Sequence, residues 1–417
     1  MTLKKLMSFM FVTVLAATTI LAGCGNNSSS SDSSNEKEGG GAGKIVIFQS
    51  KVEITDQMEA LAKDYQAETG VEVEVWGTTG DDYFTQVKTK LANNQGPTVF
   101  SLAPGGESDQ MSAYLEDLSK LSFIDKIVEG MTDEKDGKVV GIPYTMEGFG
   151  LVYNKDVMDM SAITDTDSLI GFMVDEKAKD KTAFGLSEES YFLIGHILNT
   201  PFALQEKPEE FMNAVIAGEQ TITEVKEFQE FAKLYAAIRK NSYNPLEVNY
   251  DKACGDLATG KIDAIHQGNW SASMFADYDM EFEMSLAALP LVGNDKLAVS
   301  VPTAWYVNSQ ADEAEKQAGI AFLEWLYTSE TGEKYLMDEF GFIPVVEGMQ
   351  NQNLDVLSQE VQKYAEAGNT LEWATNYYPA GIVDVYLTPI AEKFFTTEMT
   401  EQELLEEIQA AFVEAGK

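Results

Sequence analysis

The chain has 417 residues, of which 68 are acidic and 29 basic, for a formal net charge of −39. A surface that negative repels nucleic acid and anionic lipid headgroups, so neither is an expected partner. Beyond its N-terminal segment the chain is too long for one typical domain, and two lobes are expected.

Lys4 and Lys5 precede an uncharged run from Phe9 to Ala22 that is apolar apart from Thr13, Thr18 and Thr19. This is the pattern of a secretory signal, too short for a membrane span. Leu21-Ala22-Gly23-Cys24 closes the run and resembles the bacterial lipobox. The resemblance implies a signal peptide over residues 1–23 and a diacylglyceryl anchor on the sulfur of Cys24. An ordinary cleaved signal with an incidental cysteine is the alternative. Residues 24–43 are rich in Ser, Asn and Gly and lack an apolar run, the composition of a flexible linker. The Gly39–Lys44 stretch is not a phosphate loop, because it follows no strand and Ile45 stands where Ser or Thr is required.

Lys44–Phe48 reads as a buried strand. A helix follows from Thr55 or Asp56 with Met58, Leu61, Ala62 and Tyr65 on one face, ended by Gly70. Val71–Trp76 alternates as a half-buried strand, and a helix over roughly Asp82–Asn93 leads to a strand at Thr98–Leu102. This order predicts a mainly parallel sheet with helices on both faces. Lys138–Tyr144 and Gly150–Tyr153 are further strands. Helical patterns dominate from Lys155 to Ala258, interrupted near Ala183–Leu186. Ile262–His266 reads as a strand leading into a helix at Asn269. Strands recur at Phe282–Pro290 and Ala298–Val307, then helices at Asp312–Tyr327 and Glu330–Glu339. The tail from Ile382 to Ala415 is helical, with a capping box at Thr400–Glu403.

Metal and nucleophile chemistry is poorly supplied. His196 and His266 lie far apart in sequence, HExxH and EF-hand patterns are missing, and no GxSxG elbow occurs. His196 reads as a packed helix residue. With Cys24 lipidated, Cys254 stands alone, a small apolar helix residue, and no intrachain disulfide forms. Arg239 is the only arginine and reads as a charge near a helix C-terminus, so an anionic ligand is disfavoured. Paired carboxylates are certain among 68 acids, so a glycosidase is the enzymatic alternative. A neutral polyhydroxy ligand suits the remaining supply: aromatic faces for C–H surfaces, carboxylates and amides for hydroxyls. Tyr144 with Glu147, Glu189 with Tyr191, Asn269 with Trp270, and Tyr377 with Tyr378 provide that mixture.

Gly141–Lys155 resembles the crossover segment of family 1 extracellular solute-binding proteins. Gly260–Trp270 resembles their strand–turn–helix with its Gly-x-Trp element, with Ile265 and His266 in place of a small residue and methionine. Ala321–Gly332 resembles their C-terminal helix pair. This family includes the maltose-binding protein. The resemblance implies an α/β fold of two periplasmic-binding-protein-like lobes, with a hinge and an interlobe cleft. One lobe would hold residues 44–148 plus 299–350, and the other 149–298 plus 351–417. It implies an ABC importer component that captures a carbohydrate without catalysis or cofactor and delivers it to permease subunits. The expected protein is a monomer on the extracellular face of the cell membrane. Position by position, Glu147 matches the crossover acid and Trp270 the stacking ring, while Glu189 and Tyr191 fall where the family has a cleft acid and aromatic. Ser101, with Phe100 and Ala103, ends a strand where α/β sheets place ligands. Lys51, Gln49, Asn269, Tyr144 and Tyr378 complete the candidates. Maltose itself is disfavoured, because the acids and arginine of the maltose protein are missing from that loop. Trp76, Trp305 and Trp373 are not separable into cleft and core. A polyamine, peptide or metal-chelate ligand, and a sensor or adhesin role, stand as alternatives.

Overall fold

The computed structural model describes residues 44–51, 54–77, 83–128, 130–276 and 278–417. The signal at 1–23, Cys24, the linker to residue 43 and the expected helix start at Asp82 lie outside them.

The first stretch runs β1 (Ile45–Phe48), α1 (Thr55–Thr69), β2 (Val73–Trp76), α2 (Tyr83–Ala92), β3 (Val99–Leu102), α3 (Gly106–Gln110), β4 (Asp133–Lys135) and β5 (Lys138–Pro143). The middle holds β6 (Glu147–Asn154), α4 (Thr166–Lys177), β7 (Thr182–Gly185), α5 (His196–Ala203), α6 (Pro208–Ile216), α7 (Lys226–Asn241), α8 (Tyr250–Ala258), β8 (Ile262–Gly268), β9 (Met284–Ala287) and β10 (Leu297–Ser300). The remainder is β11 (Ala304–Val307), α9 (Glu313–Thr328), α10 (Glu330–Lys334), α11 (Val356–Glu366), β12 (Thr370–Leu371), α12 (Thr388–Thr396) and α13 (Glu401–Ala415).

Local sequence explains the opening elements. α1 buries Met58, Leu61, Ala62 and Tyr65, the face its spacing predicts. It ends where Gly70 takes φ 77°, and the Gly70 N–H closes onto the Gln66 carbonyl. The capping box on α13 forms, with Thr400 accepting from the Glu403 N–H.

The strands form two sheets. The first has the order β2-β1-β3-β11-β5-β4. Only β2-β1-β3 is parallel; β11 runs antiparallel to β3 and β5, and β5 to β4. The sheet is therefore mixed, where a mainly parallel one was expected. The cause is connectivity: β11 re-enters from the other sheet and so runs the opposite way. The second sheet has the order β12-β10-β6-β8-β7. Its long strand β6 pairs with β10 through Glu147–Phe149 and with β9 through Leu151–Asn154.

The chain passes between sheets at residues 144–146 and 301–303, so the stretch Ala298–Val307 divides into two strands of different sheets. Pairing puts Gly148 and Val299 opposite each other in the second sheet, on the far side of the boundaries expected at 148/149 and 298/299. The crossings are stitched together. The Tyr144 N–H donates to the Thr303 carbonyl at 3.0 Å, and the Thr145 hydroxyl accepts from the Ile343 N–H at 2.9 Å.

Candidate functional site

The carboxyl ends of β1 and β3 in the first sheet face the start of β6 and the end of β8 in the second. Several pockets open along the seam, and two of them hold most of the candidate residues. One, of about 270 Å³, is lined by Lys51, Gln57, Glu147, Trp270 and Ser273 among others. The other, of about 250 Å³, lies between the α3 loop and the second lobe, with Phe84, Glu107, Tyr191, His196, Trp373 and Tyr378 on its walls.

The first pocket is organised by an ion pair. Lys51 Nζ lies 2.5 Å from a Glu147 carboxylate oxygen, with side chains 15% and 9% exposed. Gln49 fixes the Lys51 backbone: its amide N–H donates to the Lys51 carbonyl, and its carbonyl oxygen accepts the Lys51 N–H. Asn269 holds the opposite wall in place rather than presenting free groups. Its carbonyl oxygen accepts the Gly148 N–H at 3.0 Å and its amide donates to the Ser358 hydroxyl at 3.0 Å. Trp270 folds back over Gly268 and donates its indole N–H to Gln267 at 2.9 Å. That fold-back explains the Gly-x-Trp spacing, since a Cβ at 268 would sit 2.2 Å from the Trp270 ring.

The second pocket backs onto an aromatic wall. Phe149 stacks on His196 (centroids 4.5 Å apart, 20°) and contacts Trp373 at 5.0 Å. Trp270 meets His196 at 5.3 Å and Trp373 edge-on at 6.3 Å. Burial holds the His196 pKa down to about 3, so the ring is neutral. Across from this wall Glu107 accepts the Ala103 N–H at 2.8 Å, and burial raises its carboxyl pKa. The lobes touch at the rim, where a Cβ on Gly105 would lie 2.6 Å from the Asn376 carbonyl oxygen.

The other candidates sit as follows. Tyr191 is 44% exposed and lines the second pocket, as does Tyr378, which is 5% exposed. Tyr144 is buried in the first crossing, stacked on Trp305 at 3.8 Å. Ser101 is buried; it accepts the Ser50 N–H and hydrogen-bonds the Tyr83 hydroxyl, tying β1 to β3. Glu189 accepts the Tyr250 N–H at the start of α8. Tyr377 donates to Glu372. Of the three tryptophans left open, Trp305 is core and Trp76 lies on the edge strand beneath Lys90, while Trp373 faces the cleft.

Glu107, Phe84 and His196 are pocket residues that sequence reasoning missed. The Gly105-Gly106 pair after β3 was the available signal for Glu107, since paired glycines mark close backbone approach. His196 is a wall residue rather than simply a packed helix residue. Arg239 is placed away from the cleft: it donates to the carbonyls of Phe394, Thr397 and Met399 and stacks on the Phe394 ring at 4.0 Å, so it closes the end of α12. Cys254 is free and buried, and burial raises its thiol pKa to about 12. Among the described residues no group of three or more His, Cys, Asp or Glu gathers as a metal site, and no helix is long and apolar enough to cross a membrane.

Two α/β lobes joined by short crossings, with a partly aromatic, partly polar seam between them, define a cleft-binding protein of the solute-binding type. Residues 60–369 match the family model described as bacterial extracellular solute-binding protein, and the chain belongs to that family. It is similar to a maltooligosaccharide ABC transporter solute-binding lipoprotein of Streptococcus pneumoniae, 24% identical over 75% of this chain and 72% of that one. Its fold is similar to that of RafE in complex with raffinose, a protein whose apo form comes from Streptococcus pneumoniae. The likeness is 20% identical with a TM-score of 0.74, covering 90% of this chain and 100% of that one. A chitin oligosaccharide binding protein is similar at 19% identity and a TM-score of 0.75, covering 89% and 98%.

Proposed function

We propose that this protein is the substrate-binding component of an ABC importer, anchored by a lipid on Cys24 to the extracellular face of the cell membrane. It captures an oligosaccharide in the cleft and hands it to the permease subunits. The observation that carries this reading is the cleft wall, where Phe149, His196, Trp270 and Trp373 pack as one aromatic surface beside the Lys51–Glu147 pair. Aromatic faces beside charged and amide hydrogen-bonding groups suit sugar rings. The names of the relatives, which speak of maltooligosaccharide, raffinose and chitin oligosaccharide, support the same ligand class.

In this reading Glu147, Lys51, Trp270, Tyr191 and Tyr378 touch the ligand. Asn269, Ser101, Glu189 and Tyr144 hold the walls that present them. The lobe boundaries fall within 144–146, 301–303 and 341–355. Closure follows because ligand contacts both lobes in the closed form and fewer in the open one.

A thermal-shift screen of the chain from residue 25 against mono- and oligosaccharides, polyamines and peptides tests the reading. A ligand that binds the folded state alone raises Tm by mass action. A shift with one sugar family, the sugar recovered intact, is the expected result. Shifts with polyamines or peptides alone would sink the carbohydrate assignment, and consumption of the sugar would replace capture by glycoside hydrolysis.

A further inference from the structure

The pocket between the α3 loop and the aromatic wall has a hydrogen-bonding vacancy. Three of its lining residues carry a buried polar atom with no hydrogen-bond partner among the described residues: His196 Nδ1, Trp373 Nε1 and the Tyr378 hydroxyl. Trp373 and Tyr378 are 7% and 5% exposed, so these groups are largely withdrawn from water. Leaving such groups unmade is costly, and a bound partner recovers that cost. Among the described residues no lysine or arginine lines the pocket, and Glu107 is its single carboxylate.

The chemistry of the vacancy is selective. An indole N–H can only donate, whereas a phenol and a neutral imidazole both donate and accept. A hydroxyl group does both as well. A carboxylate would find no cation among the described lining residues and would face Glu107.

We propose that this pocket holds one uncharged glycosyl ring and that His196 sets its selectivity by exchanging hydrogen bonds with a ring hydroxyl. The inference rests on the carbohydrate reading above and narrows it: neutral oligosaccharides are taken and uronic-acid oligosaccharides refused. Trp373 supplies a second donor. Phe84 and Tyr191 offer apolar faces on opposite lobes.

Calorimetric titration of the full chain in detergent, with raffinose, maltotriose, chitotriose and trigalacturonate, tests it. At least one neutral trisaccharide binds and trigalacturonate does not. His196→Phe keeps the ring and its stack on Phe149 but removes both nitrogens, and affinity falls about 10–100-fold while the Tm of the unliganded protein holds or rises. His196→Gln restores a donor and an acceptor and recovers part of that loss. Trp373→Phe removes one N–H and costs about tenfold, a check that stands if the histidine variants fold poorly. Wild-type affinity in His196→Phe and Trp373→Phe, with a neutral sugar still bound by the parent chain, would overturn this inference alone. Tight binding of trigalacturonate would overturn it too. Failure of the parent chain to bind any neutral sugar would remove both this inference and the carbohydrate reading.

Discussion

Replacing Gly268 by alanine tests how the aromatic wall is positioned. The backbone there, φ −113° and ψ −178°, is extended and suits alanine, so any cost is steric. The new Cβ would lie 2.2 Å from Cζ3, 2.4 Å from Cη2 and 2.5 Å from Cε3 of Trp270. Carbon atoms prefer separations of about 3.5–4.0 Å, so the indole must withdraw by about 1 Å or more. Withdrawal strains its 2.9 Å bond to Gln267 and its edge contact with Trp373. Overpacking of this kind costs about 1–3 kcal/mol of stability. Loss of a well-placed ring face costs about 0.5–1.5 kcal/mol of ligand binding, up to about a tenfold rise in Kd. The assay is a double-mutant cycle by denaturant unfolding and titration, with Gly268→Ala, Trp270→Ala and both together. In the Trp270→Ala background the alanine has nothing to strike and its cost vanishes. Gly260→Ala is the control: φ is 70° with nothing within 4 Å of the new Cβ, so about 1–2 kcal/mol of backbone strain persists with or without Trp270. Additive costs at Gly268 would refute the reasoning.

Three further outcomes are expected. Asp263 in β8 is 3% exposed, and burial raises its pKa to about 6. The native state then holds more protons than the unfolded chain between about pH 4 and 6, so this group loses stability as pH rises through that window. Asp263→Asn accordingly gains about 2–3 kcal/mol at pH 8 and little at pH 4, and an equal gain at both values in urea titrations would contradict this. Glu147→Gln removes the carboxylate opposite Lys51 and weakens ligand binding by about 2 kcal/mol, near 30-fold, and unchanged affinity in calorimetry would exclude a binding role. Arg239→Ala destabilises by about 2–3 kcal/mol through its lost carbonyl bonds and ring stack, Arg239→Lys restores only part, and neither changes affinity; full rescue by lysine in thermal unfolding would disprove the planar-stack account.

Where a periodic pattern and a stop signal coincided, the sequence was readable. α1 is the case in point: an apolar face at helical spacing and a terminal glycine both describe local geometry, and both are present. The Gly-x-Trp element was legible through its resemblance to the family, and its glycine and tryptophan meet within one turn. Topology was less so. In Ala298–Val307 only Pro302, which cannot donate to a strand ladder, marks the passage between sheets, and the strands on either side of it demand the same apolar residues. The site was legible by residue type more than by role. Asn269 and Ser101 look like ligand donors, yet their hydrogen-bonding capacity goes to Gly148, Ser358, Ser50 and Tyr83. Trp305 and Trp373 are alike in sequence, and only long-range packing sends one to the core and the other to the cleft. His196 escaped because its neighbours on the wall, Phe149, Trp270 and Trp373, come from distant parts of the chain.

The crossings that align the cleft walls also impose an order of assembly. β11 sits between β3 and β5 in the first sheet, yet more than 150 residues of chain separate it from β5. Until Ala304–Val307 arrives, β2-β1-β3 and the β4-β5 hairpin have no strand to join them, and the facing edges of β3 and β5 stay open to wrong pairing. The second sheet waits in turn for β12 at Thr370–Leu371. Neither lobe can be finished as the chain emerges, so folding is governed by distant contacts and is slow for its size. A protein built this way completes both of its sheets only when nearly its whole length is available.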